Sequence, residues 1–368
     1  MTTVTLACHA MATRFELVLH GNEPAALRAA GEEALAEIER LEARLSLFRT
    51  GSEIAHLNAR AAREPVRVSP GLFALLQQAQ RLSRETGGAF DITIAPLVRC
   101  WGFLGGPGRL PSAEELAAAR TRVGMGLVEL RPEDFTVRFA RPGVMLDLGA
   151  IGKGYAVERA IALLREAGVT SALLHGGTST IYALGHPPQA DAWQVAVVNP
   201  EGAKGAEVRS PKSEVRSPES AQPAAGDAVL RISAFVPHCG RPSFGLRTSD
   251  FGLPPLSPDD PAPLAIVPLR DEALSVSAIW GRCFEAEGRT FGHVIDPRTG
   301  QPAVNALLAA VVLPSATETD ALSTALLTLG PAGHAQIAGL RPGMHTLVAL
   351  EAGGRLHVEA RGIMVGGT

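Results

Sequence analysis

Residues 144–168 read VMLDLGAIGKGYAVERAIALLREAG, and this stretch decides the fold. It has an apolar start, three glycines within residues 149–154, and then apolar residues at helical spacing up to Gly168. That order predicts a strand, a tight turn and a helix. The rest of the chain alternates strand-like and helix-like segments without a strict βαβ rhythm. The sequence therefore predicts an α/β protein with a mixed, α+β type of sheet.

Start and stop signals predict the neighbouring elements. Ser69 is placed to cap a helix that Pro70 opens and Gly87–Gly88 end. Ser112 and Glu115 form a capping-box pattern before a short helix. The other expected elements are a strand at 14–19, a helix from Pro24 with apolar Leu27, Ala34, Ile38, Leu41 and Leu45, strands at 169–177, 193–200, 264–269, 272–280 and 307–313, a helix at 316–330 opened by a second capping box of Ser315 and Glu318, and a hairpin turning at Gly353–Gly354.

The totals restrict the class of protein. The chain has 368 residues, of which 46% are hydrophobic, and this supports a large core. A formal net charge of -3 and an aromatic fraction of 5% argue against a nucleic-acid partner. The four cysteines form no zinc or disulfide pattern. No stretch reads as a transmembrane segment or a signal peptide, so we expect a cytoplasmic protein.

Residues 201–263 differ from the rest in composition. They are rich in Pro, Ser and Gly and contain a direct repeat, EVRSP, at 207–211 and 214–218. The segment lacks the apolar periodicity that offsets the entropy cost of ordering a chain. We interpret it as a low-complexity insertion that is disordered or loosely packed, the alternative being a partner-binding loop.

Two groups of residues are candidates for binding a charged ligand. Asp320 and Thr324 are four apart on a predicted helix, so their oxygens share one face and suit Mg²⁺, unless the pair is only a solvated face. The glycine-rich turn with Lys153 favours a phosphate at a helix N-terminus, or is a plain tight turn. It is not a P-loop, because Asp147 and Gly154 stand where that motif needs Gly and Ser or Thr. The dinucleotide fingerprint fails as well.

Two further residues have two readings each. Asp91, in GGAFDITIAPLVRCWGF, either holds a ring or ribose hydroxyl of a ligand or caps a turn. His293, in FGHVIDPRTGQP (291–302), is either a structural residue of a hairpin or a base, since its ordinary pKa is near neutral. Trp101 and Phe103 are expected in the core.

Seven motifs in chain order carry a resemblance to a known family. They are MATRFEL, LSLFRTGSEIAHLN, GGAFDITIAPLVRCWGF, LDLGAIGKGYAVERA, HGGTST, FGHVIDPRTGQP and ETDALSTALLTLG, and they extend from about Met11 to Gly330. Together they resemble the ApbE-type FAD:protein FMN transferases. The resemblance implies a T-fold-related architecture in which residues 1–368 form one catalytic unit of two lobes, with the ligand cleft between them.

The resemblance also implies an activity. It implies an Mg²⁺-dependent enzyme that splits FAD, transfers FMN to a Thr or Ser hydroxyl of a target flavoprotein and releases AMP. His293 matches the expected base, and the backbone carbonyl of Ala150 with Asp320 and Thr324 matches the metal ligands. The positions that match FAD contacts are Met11, Phe48, Ala89, Phe90, Asp91, Asp147, Lys153 and Ile295.

The sequence departs from the family pattern at three places. Ala12 stands where Met-Gly-Thr is usual, Ala278 ends a stretch that usually ends in Gly, and Thr178 follows Gly-Gly where Asp is common. By the resemblance, Ala12 adds a methyl group where the backbone is expected to approach flavin. Ala278 is expected to narrow the entrance for the acceptor protein. Two alternative functions therefore stand beside transfer, namely Mg²⁺-dependent FAD pyrophosphatase and inactive flavin-binding protein.

Overall fold

A computed structural model describes residues 1–200, 229–232 and 262–366. The α-helices in these ranges are α1 (Pro24–Leu45), α2 (Glu53–Arg60), α3 (Pro70–Glu85), α4 (Ala95–Cys100), α5 (Ala113–Arg120), α6 (Gly152–Glu166), α7 (Ala316–Leu329) and α8 (Pro331–Ala338). The strands are β1 (Thr2–Ala10), β2 (Thr13–Gly21), β3 (Val66–Arg67), β4 (Val128–Arg131), β5 (Thr136–Phe139), β6 (Ala172–Gly176), β7 (Thr180–Leu184), β8 (Trp193–Val197), β9 (Val229–Ile232), β10 (Ala265–Leu269), β11 (Glu272–Ala278), β12 (Cys283–Ala286), β13 (Arg289–Gly292), β14 (Leu308–Leu313), β15 (His345–Ala352) and β16 (Arg355–Arg361). Ile92–Ile94 and Met125–Leu127 form short 3₁₀ turns.

An eight-stranded sheet organises the molecule. Its order is β1-β2-β6-β7-β11-β14-β15-β16, and every neighbouring pair in it is antiparallel. Among the described strands the parallel pairing is that of β8 with β9, in the small sheet β10-β8-β9. The predicted fold class is confirmed. Its α+β form is the correct one, because the helices pack on an antiparallel main sheet, and the mixed pairing among the described strands is in the small sheet.

Both faces of the main sheet are covered. Along β14, Ala309, Val311 and Leu313 belong to the core shared with the helices, whereas Leu308, Ala310 and Val312 face the small sheet. This two-sided burial explains why LLAAVVL reads as a continuous apolar run. None of the helices in the described ranges is long and apolar enough to cross a membrane.

The helix signals are confirmed in detail. The side chain of Ser69 caps α3, and α1 buries all five residues of its predicted apolar face. Ser112 and Glu115 form a complete capping box on α5. At α7 the prediction is only half right, because Ser315 caps the helix but the Glu318 side chain binds Arg81 and Arg341 instead of reaching back to the cap.

The predicted strand at the start of the 144–168 stretch is wrong. Residues 144–148 form no regular secondary structure and join none of the described sheets. The amide side chain of Asn58 pairs with both backbone groups of Leu146, at 2.8 and 3.0 Å, and the amide of Asp147 donates to the carbonyl of Ile92. The side chain of Asn58 thus provides the backbone hydrogen bonds that a neighbouring strand would otherwise provide. The rest of the prediction is right, since α6 begins at Gly152 within the glycine-rich turn and ends before Gly168.

Several elements had no clear sequence signal, among them the edge strand β1 and the helices α2 and α8. The interpretation of residues 201–263 as a disordered insertion concerns a segment that, apart from residues 229–232, 262 and 263, lies outside the described residues. The repeat EVRSP falls in that undescribed part.

A tight turn between β1 and β2 carries the first family departure. Ala10 pairs with Thr13, so Met11 and Ala12 form a two-residue loop, and their φ angles are 51° and 58°. Such a loop favours glycine because a Cβ in the left-handed region costs about 1–2 kcal/mol. Ala12 therefore keeps backbone strain that a glycine would release.

We expect the substitution Ala12→Gly to stabilise the protein by about 0.5–1 kcal/mol, because relief of the strain exceeds the added chain entropy of glycine. The measurement is the melting temperature, which should rise by about 1 °C. Ala118→Gly on the exposed face of α5 is the matched control and should lower it, since glycine disfavours a helix interior. A fall in melting temperature for Ala12→Gly would contradict the assigned strain.

Candidate active site

The helices α6 and α7 cross in close contact at Gly154. A Cβ at this position would lie 2.1 Å from the carbonyl oxygen of Ala316 and 2.7 Å from the Cβ of Asp320. Only glycine permits this approach. As a result the Gly154 amide donates a 2.9 Å hydrogen bond to Oδ2 of Asp320. The first turn of α6 has no side-chain cap of its own, so Asp320 fills that role from the neighbouring helix.

The carboxylate of Asp320 is buried without a countercharge. The residue is 4% exposed, and no ion pair among the described residues includes it. Its second oxygen, Oδ1, accepts only a long 3.4 Å bond from Thr180 Oγ1. A buried carboxylate ordinarily has a cationic partner or a metal ion. This one retains acceptor capacity for a cation.

The other two predicted metal ligands lie on α7 and just before α6. Thr324 shares the face of α7 with Asp320, its Oγ1 lying 3.2 Å from the Asp320 carbonyl and 3.2 Å from Ser277 Oγ. Ala150 lies two residues before Gly152, the first residue of α6, and no hydrogen bond among the described residues ends on its carbonyl. A carboxylate, a hydroxyl and a free carbonyl are hard oxygen donors of the kind that Mg²⁺ takes.

These residues fit a magnesium ion that is shared with a phosphate-bearing ligand. The described residues contain no group of three or more His, Cys, Asp or Glu side chains placed to hold a metal. Mg²⁺ is usually bound by one or two carboxylates together with substrate phosphates, so a single aspartate is sufficient. Asp320, Thr324 and the Ala150 carbonyl would supply the protein's share of the ligands.

His293 follows the hairpin β12–β13. Its Nδ1 lies 3.1 Å from the carbonyl of Arg282, and its amide donates to the same carbonyl at 3.0 Å. A carbonyl can only accept, so Nδ1 carries the proton and Nε2 is left with a lone pair. Burial lowers the pKa of His293 below its ordinary 6.5, and the positive charges of Arg282 and Lys153 add to this, while the hydrogen bond to the Arg282 carbonyl opposes it. The imidazole is thus kept neutral and able to accept a proton.

The turn after His293 is rigid. Asp296 accepts bonds from both Nε and Nη2 of Arg298, at 2.9 and 2.8 Å, and Trp101 donates from its ring nitrogen to the carbonyl of Gly300 at 2.8 Å. Ile295 and Pro302 pair across the turn, and the Ile295 side chain is buried with Trp101 and Phe103. The hairpin reading of FGHVIDPRTGQP and the reading of His293 as a base are therefore compatible, since the turn fixes where the imidazole lies.

The metal candidates and the base are joined by β11 and by Lys153. Ser277 of β11 contacts Thr324, and four residues further along Gly281 lies against the His293 ring, with a Cβ there 3.3 Å from Cε1. Four extended residues span at most about 14 Å. The charge of Lys153, on the first turn of α6, acts on His293 as well. The chain from Ser277 to Gly281 thus links the α7 face that carries Thr324 to the ring of His293.

Asp147 and Lys153 frame the glycine-rich turn. Asp147 accepts from the Gly149 amide at 2.8 Å, and the Lys153 ammonium donates to the Gly149 carbonyl at 3.3 Å. Burial raises the pKa of the Asp147 carboxyl, and the Gly149 amide and Lys153 oppose the rise. Both side chains thus bind the backbone of Gly149 and fix the turn.

Asp91 caps a turn, which was one of its two readings. Its Oδ1 accepts from the amide and hydroxyl of Thr93 at 2.8 and 2.5 Å, and its Oδ2 accepts from the Met125 amide at 2.9 Å. Ala89 and Phe90 beside it are 1% exposed. A ligand would therefore contact the backbone of this segment, or would enter the cavity of ≈ 550 Å³ that Asp91 lines together with Arg120 and Arg298.

The remaining predicted FAD contacts lie in different settings. Phe48 is 71% exposed just after α1, so its ring is available to a ligand. Met11 is half-buried in the β1–β2 turn and packs on the core. Residues that the sequence did not single out are Ser277, Thr180 and Gly281. Alternation along β11 was the available signal for Ser277, because alternate residues of a strand face the same helix layer.

Comparison with known proteins now identifies the family. The profile of the ApbE family matches residues 11–220 and 252–348. The chain belongs to the ApbE family. Among curated ApbE relatives, the FAD:protein FMN transferase of Treponema pallidum is 30% identical over 319 residues, covering 85% of this chain and 75% of that protein. The enzyme of the same name from Klebsiella pneumoniae is 24% identical, covering 90% and 79%.

Solved ApbE structures share the fold. The apo form of the flavinyl transferase ApbE from Pseudomonas stutzeri superposes with a TM-score of 0.73 at 25% identity, covering 98% of this chain and 95% of that one. The ApbE protein of Thermotoga maritima gives 0.73 at 24% identity, covering 97% and 96%. The prediction of an ApbE-like fold is confirmed. The individual site residues stay predictions.

We expect Asp320→Asn to weaken the response of this ApbE protein to Mg²⁺ by at least about tenfold, because the amide keeps the bond to Gly154 but removes the charge. The measurement is the Mg²⁺ concentration for half-maximal activity, taken together with the melting temperature. A loss of melting temperature that parallels the loss of activity would instead identify Asp320 as a structural cap.

Proposed function

We propose that this ApbE-family flavin transferase cleaves FAD with the aid of Mg²⁺ and attaches the FMN half to a Thr or Ser hydroxyl of a separate flavoprotein, with AMP as the leaving group. The observation that carries the proposal is the buried carboxylate of Asp320, which has no ion-pair partner among the described residues and caps the helix that carries Lys153. The imidazole of His293, whose pKa burial lowers, supports it as the base. The names of the curated relatives support the FAD and protein substrates.

The charge distribution of the site suits a pyrophosphate. Lys153, in the first turn of α6, adds a positive charge to the positive end of the helix dipole, where phosphates bind readily. Asp320, Thr324 and the Ala150 carbonyl would supply the oxygen ligands for Mg²⁺. When bound there, the ion would lower the charge barrier to attack at phosphorus.

His293 supplies the proton transfer. The Arg282 carbonyl holds Nδ1–H, so Nε2 takes the proton of the acceptor Thr or Ser hydroxyl. The hydroxyl oxygen attacks the FMN phosphorus at the same time. The P–O bond to AMP breaks as the new phosphoester forms. AMP departs as a phosphate anion and needs little protonation. A base of this kind contributes about 10²–10⁴-fold to the rate.

The flavin half has fewer fixed contacts than the phosphates. Phe48 presents an exposed ring, and Met11, Ala89, Phe90, Asp91, Asp147 and Ile295 are the further proposed FAD contacts. The backbone of the β1–β2 turn at Ala12 is proposed to approach the isoalloxazine ring. Its added methyl would then change FAD affinity and leave the proton transfer unaffected.

The decisive experiment separates transfer from hydrolysis. The protein is incubated with FAD and Mg²⁺, with and without a purified candidate acceptor subunit, and the acceptor is examined by mass spectrometry for covalently bound FMN. Acceptor-dependent AMP release together with a flavinylated Thr or Ser supports the proposal. Rapid release of FMN and AMP without acceptor identifies a pyrophosphatase, and FAD binding without turnover identifies an inactive flavin-binding protein.

We expect His293→Ala to lower the rate of transfer by about 10²–10⁴-fold while FAD affinity stays within about threefold, because the imidazole acts on the acceptor proton. Single-turnover transfer and FAD titration measure the two quantities. Transfer that persists at the wild-type rate would remove His293 from the role of base.

We expect the imidazole of His293 to titrate below 6.5, since burial and the charges of Arg282 and Lys153 disfavour its protonated form. The neutral form is the base, so a lowered pKa keeps the enzyme active to lower pH. Histidine NMR of the free protein measures the midpoint, with His293→Gln for assignment. Lys153→Met should raise the midpoint, and a wild-type midpoint above 6.5 would contradict the prediction.

A further inference from the structure

The crossing of α6 and α7 contains a second carboxylate that the proposed chemistry does not use. Glu158 lies one helical turn after Gly154 on α6. Its Oε2 accepts a 2.7 Å bond from the hydroxyl of Ser315 and a 2.9 Å bond from the amide of Thr317. Both donors belong to the N-terminus of α7. Glu158 therefore caps α7 from the neighbouring helix.

The two helices cap each other. Asp320 of α7 accepts from the Gly154 amide in the first turn of α6, and Glu158 of α6 accepts from the Thr317 amide in the first turn of α7. The two bonds are one turn apart along α6 and three residues apart along α7. One hydrogen bond between two crossing helices restrains their crossing angle less than two bonds at separate points do.

We infer that Glu158 is a positioning residue that sets the place of Asp320 and Thr324 in the cation site. The inference rests on the proposed metal role of those two residues. Arg81, Arg341 and Ser275 also hold the first turn of α7, through Glu318 and Thr319. Between α6 and the start of α7, however, the bonds are those of Asp320 and Glu158, so without Glu158 the carboxylate that should bind the ion would alone set the hydrogen-bonded register of the two helices.

Magnesium is sensitive to such displacement. It demands near-ideal octahedral geometry with short metal–oxygen distances. Functional side chains must be held to within about 0.5 Å of their working geometry. Removal of groups that orient metal ligands costs about 10–100-fold in affinity. The effect of Glu158 should lie at the low end of this range, because it acts through a helix and not on the ligand atom.

The test uses a pair of variants that separate charge from reach. Glu158→Gln keeps the length and one acceptor oxygen, which suffices for both bonds, but loses the charge. Glu158→Asp keeps the charge but is one methylene too short. Glu166→Ala removes an exposed carboxylate from the same helix and is the control. The probe is Mn²⁺, titrated by electron paramagnetic resonance with saturating FAD and no acceptor.

Positioning predicts that Glu158→Asp raises the Mn²⁺ dissociation constant about tenfold, that Glu158→Gln stays within about threefold of wild type, and that Glu166→Ala has no effect. FAD affinity should stay within about twofold in all three. If Glu158→Asp does not fold, Ser315→Ala, which removes one of the two donors, should show a smaller loss of the same kind.

Three results would count against the inference. Mn²⁺ affinity that is unchanged in Glu158→Asp while its melting temperature falls would reduce Glu158 to a structural cap. A greater loss in Glu158→Gln than in Glu158→Asp would assign the effect to charge. Unchanged Mn²⁺ affinity in Asp320→Asn would remove the proposed metal site itself, and this failure is distinguishable because it does not involve Glu158.

Discussion

The site depends on how closely α6 and α7 approach at Gly154. With a Cβ 2.1 Å from the Ala316 carbonyl, any residue other than glycine would push the helices apart. The close approach places a buried carboxylate on the amide of a first helical turn, where the helix dipole is positive. No arginine, lysine or histidine among the described residues forms an ion pair with Asp320, so its Oδ1 keeps acceptor capacity for a cation.

The base is held by a different kind of structure. His293 leaves a short hairpin and enters a turn that the Asp296–Arg298 pair and the Trp101 indole fix to the body of the protein. An exposed salt bridge contributes little to stability, but this one is bidentate and has a nearly buried carboxylate, so it restricts the turn. Helix packing on one side and hairpin geometry on the other thus position the two halves of the chemistry, and β11 links them.

Local signals in the sequence predicted the parts of the fold that depend on local physics. Ser69, Ser112 and the glycines after α3 and α6 marked helix ends correctly, because caps and left-handed turns are decided by adjacent residues. The failures came from distant partners. Asn58 holds Leu146 from 88 residues away and replaces a strand partner, and a residue far upstream, Arg81, draws Glu318 out of its capping box.

The same distinction applies to the site. Spacing alone placed Asp320 and Thr324 on one face of a helix, the chemistry of histidine made His293 a candidate base, and the resemblance to the family supplied Ala150. The mutual capping by Asp320 and Glu158 joins residues about 160 positions apart. The spacing of residues within either helix therefore could not predict it. Residues of β8 and β10 pack on the face of the main sheet opposite these helices. The crossing of α6 and α7 is thus positioned by contacts on one face of the sheet and by side chains that the chain brings together from distant positions.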